Sequence, residues 1–114
     1  MPALDRYHQD IEQIEQTLCS LASLYTTPGK QRTLMAFDRE HGQFLLLDEG
    51  WDGYRRIHHV WAHVEVRDGK LWIHEDGTEE GIANLLVAAG ISRDRIVLAL
   101  DPSSLRDTGQ FAIA

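Results

Sequence analysis

The 114-residue chain has one cysteine, three prolines and no apolar run approaching the roughly 18 residues that a membrane-spanning helix needs. Cys19 alone cannot close an intramolecular disulfide, so a reducing compartment is expected. Residues 1–5 show neither the basic nor the apolar stretch of a secretory leader, and the expected location is the cytoplasm. Basic charge is also scarce: 11 Lys and Arg stand against 18 Asp and Glu, a formal net charge of -7. A domain that grips phosphates usually has the opposite balance, which argues against direct nucleic-acid binding as the main activity. Catalytic signatures are missing as well. There is no G-x-S-x-G and no zinc-finger spacing, and Gly77 and Gly81 lack the third glycine and following lysine of a phosphate-cradling loop. No enzyme, catalytic residue, metal or cofactor is expected.

What is present is ordinary globular usage, 43% hydrophobic and 25% charged, over a length that suits one domain spanning residues 1–114. Leu4, Tyr7, Ile11, Ile14, Leu18, Leu21 and Tyr25 recur in steps of three and four, the stripe of an amphipathic helix, widened by Ala22 and Leu24. Packing on a sheet is preferred over a coiled coil for this stripe, because three heptads are few. Thr26, Thr27, Pro28 and Gly29 stop the helix, and Cys19 beside the stripe is expected to pack as a small hydrophobe.

Residues 32–38 and 43–48 read as a hairpin, and residues 49–53 as a break. A third strand runs from Tyr54 to Arg67, and Asp68-Gly69 is the dipeptide of a two-residue type I′ turn into a fourth strand, residues 70–75. Unbroken alternation then sorts the faces. Val60, Ala62, Val64, Val66, Leu71 and Ile73 fall on the core side; His59, Trp61, His63, Glu65, Trp72 and His74 fall on the other, with His63 opposite His74. Thr78 is the expected N-cap of a second helix, Glu79 and Glu80 sit in its first turn, and Gly90 closes it. Residues 96–100 form a buried strand. The expected fold is α+β: a largely antiparallel sheet of about five strands with an N-terminal helix and a second helix packed against it.

Two constellations carry possible chemistry. His59, His63, His74 and Glu65 would suit a transition metal, although a half-exposed sheet places polar residues outward by default. Trp51, Tyr54, Arg55, Arg56, Trp61 and Trp72 are residue types enriched at protein interfaces. Trp61 and Trp72, read as lying on the non-core face, need cover from either the N-terminal helix or a partner. An exposed aromatic face would also favour a homo-oligomer.

Gly50-Trp51, Arg55-Arg56-Ile57, the hairpin of residues 63–73, Asp76-Gly77-Thr78-Glu79-Glu80-Gly81-Ile82-Ala83-Asn84 and Ala88-Ala89-Gly90-Ile91 together resemble the XisI family. That family is named for the fdxN element excision controlling factor of filamentous cyanobacteria. The resemblance implies a non-enzymatic accessory role in programmed DNA-element excision by a separate site-specific recombinase, alongside a nuclease-like companion, XisH. No catalytic residues are established for the family. The expected partner surface combines Trp51, Arg55, Arg56 and Trp61 with Asp76, Gly77, Thr78, Glu79 and Glu80. Two alternatives stand beside it: phosphate contacts from Arg55, Arg56, Arg67 and Lys70, or a metal- or ligand-binding enzyme built on the His59, His63 and His74 face.

Overall fold

The structure, a computed structural model, describes residues 2–25, 29–101 and 111–112. The elements are α1 (Pro2–Tyr25), β1 (Gln31–Asp38), β2 (Gln43–Asp52), β3 (Arg55–Arg67), β4 (Lys70–Asp76), α2 (Ile82–Ala88), one 3-10 turn (Arg93–Arg95) and β5 (Ile96–Val97). The five strands lie in sequence order in one sheet. β1 to β4 are antiparallel, whereas β5 is parallel to β4, so the sheet is mixed. A parallel neighbour needs a crossover, and α2 supplies it. The stop expected at Thr26 to Pro28 lies outside the described residues, as does Pro102. β5 is shorter than expected, because a turn in which the Asp101 N–H bonds the Leu98 carbonyl follows it.

α1 covers the sheet, with the short helix α2 alongside it in the same core. Ile11, Ile14, Leu18, Leu21 and Ala22 are buried against Phe44, Leu46, Ala62, Val64, Leu71 and Ile73, while Leu24 points to solvent. Cys19 is exposed, with Sγ 3.4 Å from Met35 Sδ, and does not pack in the core. Among the described residues no helix is long and apolar enough to cross a membrane.

The expected break at residues 49–53 is instead the end of a ten-residue strand. β2 continues through Gly50 because only glycine fits there: a Cβ would collide with the Lys30 carbonyl and Gln31 Cα. The reversal comes at Gly53-Tyr54, with Gly53 at φ 63° as a type II′ turn requires. At the other end of β3, Asp68 and Gly69 both have positive φ, the expected type I′ turn.

Two β-bulges break the assumed alternation. In the β2–β3 ladder Leu46 faces Ala62 while Leu47 faces Val60, leaving Trp61 as the extra residue. Every position before it therefore has its face reversed relative to the simple pattern. Trp61 turns inward, Val60 turns to the helix-free face, and His59 falls on the helix side opposite Asp48. In the β3–β4 ladder the pairs from Arg67/Lys70 to Val64/Ile73 are those expected, but His63 then faces Glu75, and His74 is the extra residue.

The second bulge also places Asp76 on the helix side opposite Ala62, where it serves α2. Asp76 Oδ2 accepts the Ile82 N–H at 2.8 Å, and Oδ1 accepts both the N–H and the hydroxyl of Thr78. The helix begins at Ile82, so Thr78 is not its N-cap and Glu79 and Glu80 lie in the loop before it. Gly90, at φ 109°, ends α2 in a Schellman arrangement: Ile91 N–H bonds the Leu86 carbonyl and Gly90 N–H the Val87 carbonyl.

A buried ion pair ties α1 to the far end of the chain. Asp10, 3% exposed, accepts two hydrogen bonds from the Arg95 guanidinium, which also donates to the Gly69 carbonyl. Removing only one partner leaves a buried charge unpaired. Arg95→Met is expected to cost about 3–5 kcal/mol in urea unfolding, and adding Asp10→Leu to recover most of that loss. A double variant no more stable than the single one would contradict the pairing.

Candidate partner interface

β2 and β3 outrun their neighbours. β1 begins opposite Gly50 and β4 ends opposite Ala62, so residues 51–56 form the tip of a two-stranded ribbon projecting from the sheet. The turn at Gly53-Tyr54 holds Tyr54 fully exposed, and Trp51 is 55% exposed. Trp51 and Arg56 face each other across the ladder, with Arg56 Cζ 5.3 Å from the indole centroid. Arg56 also donates to Glu49 at 2.6 Å, and Arg32 donates to the same carboxylate at 2.7 Å. These two guanidiniums hold the Glu49 carboxyl below the usual range. The tip therefore presents two aromatic rings and two arginines, one of them pinned in place.

The structure divides the expected surface. It brings Trp51, Tyr54, Arg55 and Arg56 together at the tip. Trp61 lies away from them, 8% exposed within the core. Its ring packs on Tyr25 at 5.5 Å between centroids, so α1 provides the cover. Asp76, Gly77, Thr78, Glu79 and Glu80 form the loop at the base of the ribbon, roughly 20 Å from the tip along β3. Asp76 and Thr78 are engaged with backbone, Gly77 N–H bonds the Trp61 carbonyl at 2.7 Å, and Glu80 accepts the Tyr25 hydroxyl at 2.8 Å. That bond raises the Tyr25 pKa. Tyr54, expected from the sequence among the interface residue types, is fully exposed at the turn.

Trp61 anchors a buried polar cluster. Its indole N–H donates to Asp48 Oδ1 at 2.9 Å, the Thr33 hydroxyl to the same oxygen and the Gln31 amide to Oδ2, both at 2.7 Å. Asp48 sits on the core side of β2, buried, and these donors satisfy it. Trp61→Ala is expected to destabilise by about 3–5 kcal/mol. Trp61→Phe, which keeps a ring but drops the N–H, is expected to cost about 1–3 kcal/mol. Urea unfolding measures both, and a near-neutral Trp61→Ala would refute the buried assignment.

The histidine face is a hydrogen-bonded network rather than a ligand set. His63 and His74 rings lie 4.7 Å apart; His63 Nε2 bonds Gln43 Oε1 at 2.7 Å and His74 Nε2 bonds Glu65 Oε1 at 2.8 Å. Gln43 also donates to Glu65 at 3.0 Å. His59 is on the opposite face, and among the described residues no group of three or more His, Cys, Asp or Glu side chains is placed to hold a metal ion. Burial, and then the neighbouring His74, lower the His63 pKa, outweighing Glu65 and Glu75. For Glu65 burial raises the pKa, but the hydrogen bonds from His74 and Gln43 win and the net shift is downward.

Folded His63 thus holds a proton less readily than the unfolded chain, whose histidine titrates near 6.5. Below that value the unfolded state binds more protons, so this contribution is present above about pH 6.5 and is lost as pH falls. The urea midpoint is expected to drop between about pH 7.5 and about pH 5.5, and to drop less in His63→Gln. Equal slopes in the two proteins would rule out this assignment.

Known proteins share this architecture. A solved XisI-like protein from Anabaena variabilis superposes with a TM-score of 0.89 at 26% identity, covering 95% of this chain and 99% of that one. The fdxN element excision controlling factor XisI from the same organism matches with a TM-score of 0.72 at 29% identity, over 92% of this chain and 99% of that one. No curated protein matches the sequence. The XisI protein family profile matches residues 1–113, essentially the full length, and the chain belongs to the XisI family.

Proposed function

We propose that the protein is a non-enzymatic accessory factor of DNA-element excision that acts by docking a XisH-like, nuclease-fold partner in the cytoplasm, with the site-specific recombinase as a further member of the assembly. The observation that carries this reading is the projecting ribbon tip, where Trp51, Tyr54, Arg55 and Arg56 stand clear of the sheet. Aromatic rings and arginines of this kind bury large area and hydrogen-bond at once. The similarity to an excision controlling factor supports the biological setting. The acidic balance of the chain suits a basic, DNA-handling partner better than DNA itself.

The residues 76–80 loop contributes Glu79 and Glu80 at the base of the ribbon, and Trp61 supports the strand from inside. Direct DNA binding is less favoured, because the basic candidates are split: Arg55 and Arg56 open β3, while Arg67 and Lys70 flank the turn at its other end. Arg67 is further occupied, its Cζ 3.8 Å from the Trp72 ring.

The test is binding to the purified XisH-like partner by calorimetry at two salt concentrations. Trp51→Ala with Tyr54→Ala, or Arg55→Glu, is expected to weaken binding by about 30-fold or more while leaving the thermal midpoint unchanged. Retained affinity would refute the tip as the docking surface. Binding to DNA alone, with a steep salt slope, would favour phosphate contacts instead.

A further inference from the structure

The helix layer carries a groove that shares no residue with the ribbon tip. Thr17, Ser20, Leu21 and Leu24 follow one another in steps of three, one and three, so they share one face of α1. Leu85 of α2 and Glu80, in the loop before it, complete the lining, and the six residues bound about 210 Å³. Leu21 is the floor, 2% exposed, and Leu85 is half-buried. Thr17 and Ser20 are short side chains beside that floor. Leu24 stands at the rim, 73% exposed, and gains little burial from folding. The volume admits one aliphatic or aromatic side chain, since an apolar cavity of about 150 Å³ already accepts benzene.

Charge around the groove has one sign. From residue 7 to residue 29 and from residue 71 to residue 92 the chain has no Lys or Arg. Both walls come from these stretches. Asp76 is engaged with the α2 backbone, but Glu79 and Glu80 are exposed, and among the described residues neither forms an ion pair. The one side-chain partner of Glu80 is the neutral Tyr25 hydroxyl, next in sequence to Leu24. Tyr25 registers the resulting field: its pKa is raised first by the hydrogen bond to Glu80, and the charges of Glu80 and Glu79 push the same way.

We propose that the α1–α2 groove seats one apolar side chain from a basic segment of the partner protein, with Lys or Arg beside that anchor meeting Glu79 and Glu80. The inference deepens the docking of a basic partner proposed above, rests on it, and adds a second point of attachment. Charge complementarity selects the occupant, because an acidic segment would set like charges together. A second copy of this chain, at net charge -7, brings the wrong sign. An anchor side chain buried in a pocket beneath a polar rim is the usual form of an interface hot spot.

The probe is a short labelled peptide of Leu and Lys in amphipathic order, followed by fluorescence anisotropy. Two control peptides replace every Leu by Ser or every Lys by Glu. Ser20→Trp fills the groove, Leu24→Ser removes a wall, and Glu79→Lys reverses the rim charge. All three positions are exposed, so thermal midpoints are expected to stay unchanged. The Leu–Lys peptide is expected to bind the wild type, and each control peptide and each variant to weaken binding about tenfold. A peptide that does not bind, a Ser–Lys peptide that binds equally well, or folded variants that keep full affinity would each overturn the proposal. The same variants are then titrated with the purified XisH-like partner. Weaker binding there supports the groove, whereas loss in the tip variants alone would overturn it and leave the partner reading standing. A XisH-like protein that ignores the wild type, while the Leu–Lys peptide still depends on the groove, would refute that partner and support the groove as a seat for a basic segment.

Discussion

The extra residue at Trp61 is the constraint on which the layout depends. Without it β3 would place its large indole on the helix-free face and leave Asp48 buried on the helix side with one donor fewer. With it, the widest side chain of β3 fills the space under the end of α1, and its N–H joins the side chains of β1 around a single carboxylate. A buried acidic group is tolerable only when its lone pairs are met. Here the donors come from β1 and β3, on either side of β2, so the cluster also pins the register of three strands.

The fold was legible where local chemistry decides it. The α1 stripe, the Asp68-Gly69 turn, the Gly90 stop and the first pairs of the β3–β4 hairpin follow from side-chain period and backbone preference alone, and the structure has them as expected. What was hidden is the position of the two bulges. A period-2 reading has no means of seeing that one strand carries an additional residue, because the bulge is fixed by what it lets the flanking residues reach across the sheet. One miscounted position was enough to exchange the faces of His59, Val60 and Trp61 together. The second bulge hid the true cap of α2, since Asp76 acts six residues ahead of the N–H it serves.

The candidate site was legible in part for the same reason. Trp51, Arg55 and Arg56 were found by residue type, but their separation from Trp61 depends on how far β2 and β3 extend beyond β1 and β4, which composition does not reveal. The strand break expected near Gly50 arose from reading glycine as a turn. In the folded chain that glycine answers to the crowding of the Lys30 carbonyl, and the strand runs on to build the tip. The histidines illustrate the converse: three that look like a ligand set on a flat strand are split between two faces.

The three tryptophans occupy three unlike surroundings: Trp51 in solvent beside an arginine, Trp61 buried and bonded to a carboxylate, and Trp72 half-buried beneath the Arg67 guanidinium with its N–H on the Arg67 carbonyl. Their intrinsic fluorescence is therefore divided by location. Emission from Trp61 follows the integrity of the core, emission from Trp72 follows the open sheet face, and emission from Trp51 follows whatever approaches the ribbon. Replacing Trp51, Trp72 or both, which lie outside the core, leaves Trp61 in place and separates the core signal from the two surface signals, with no dye attached.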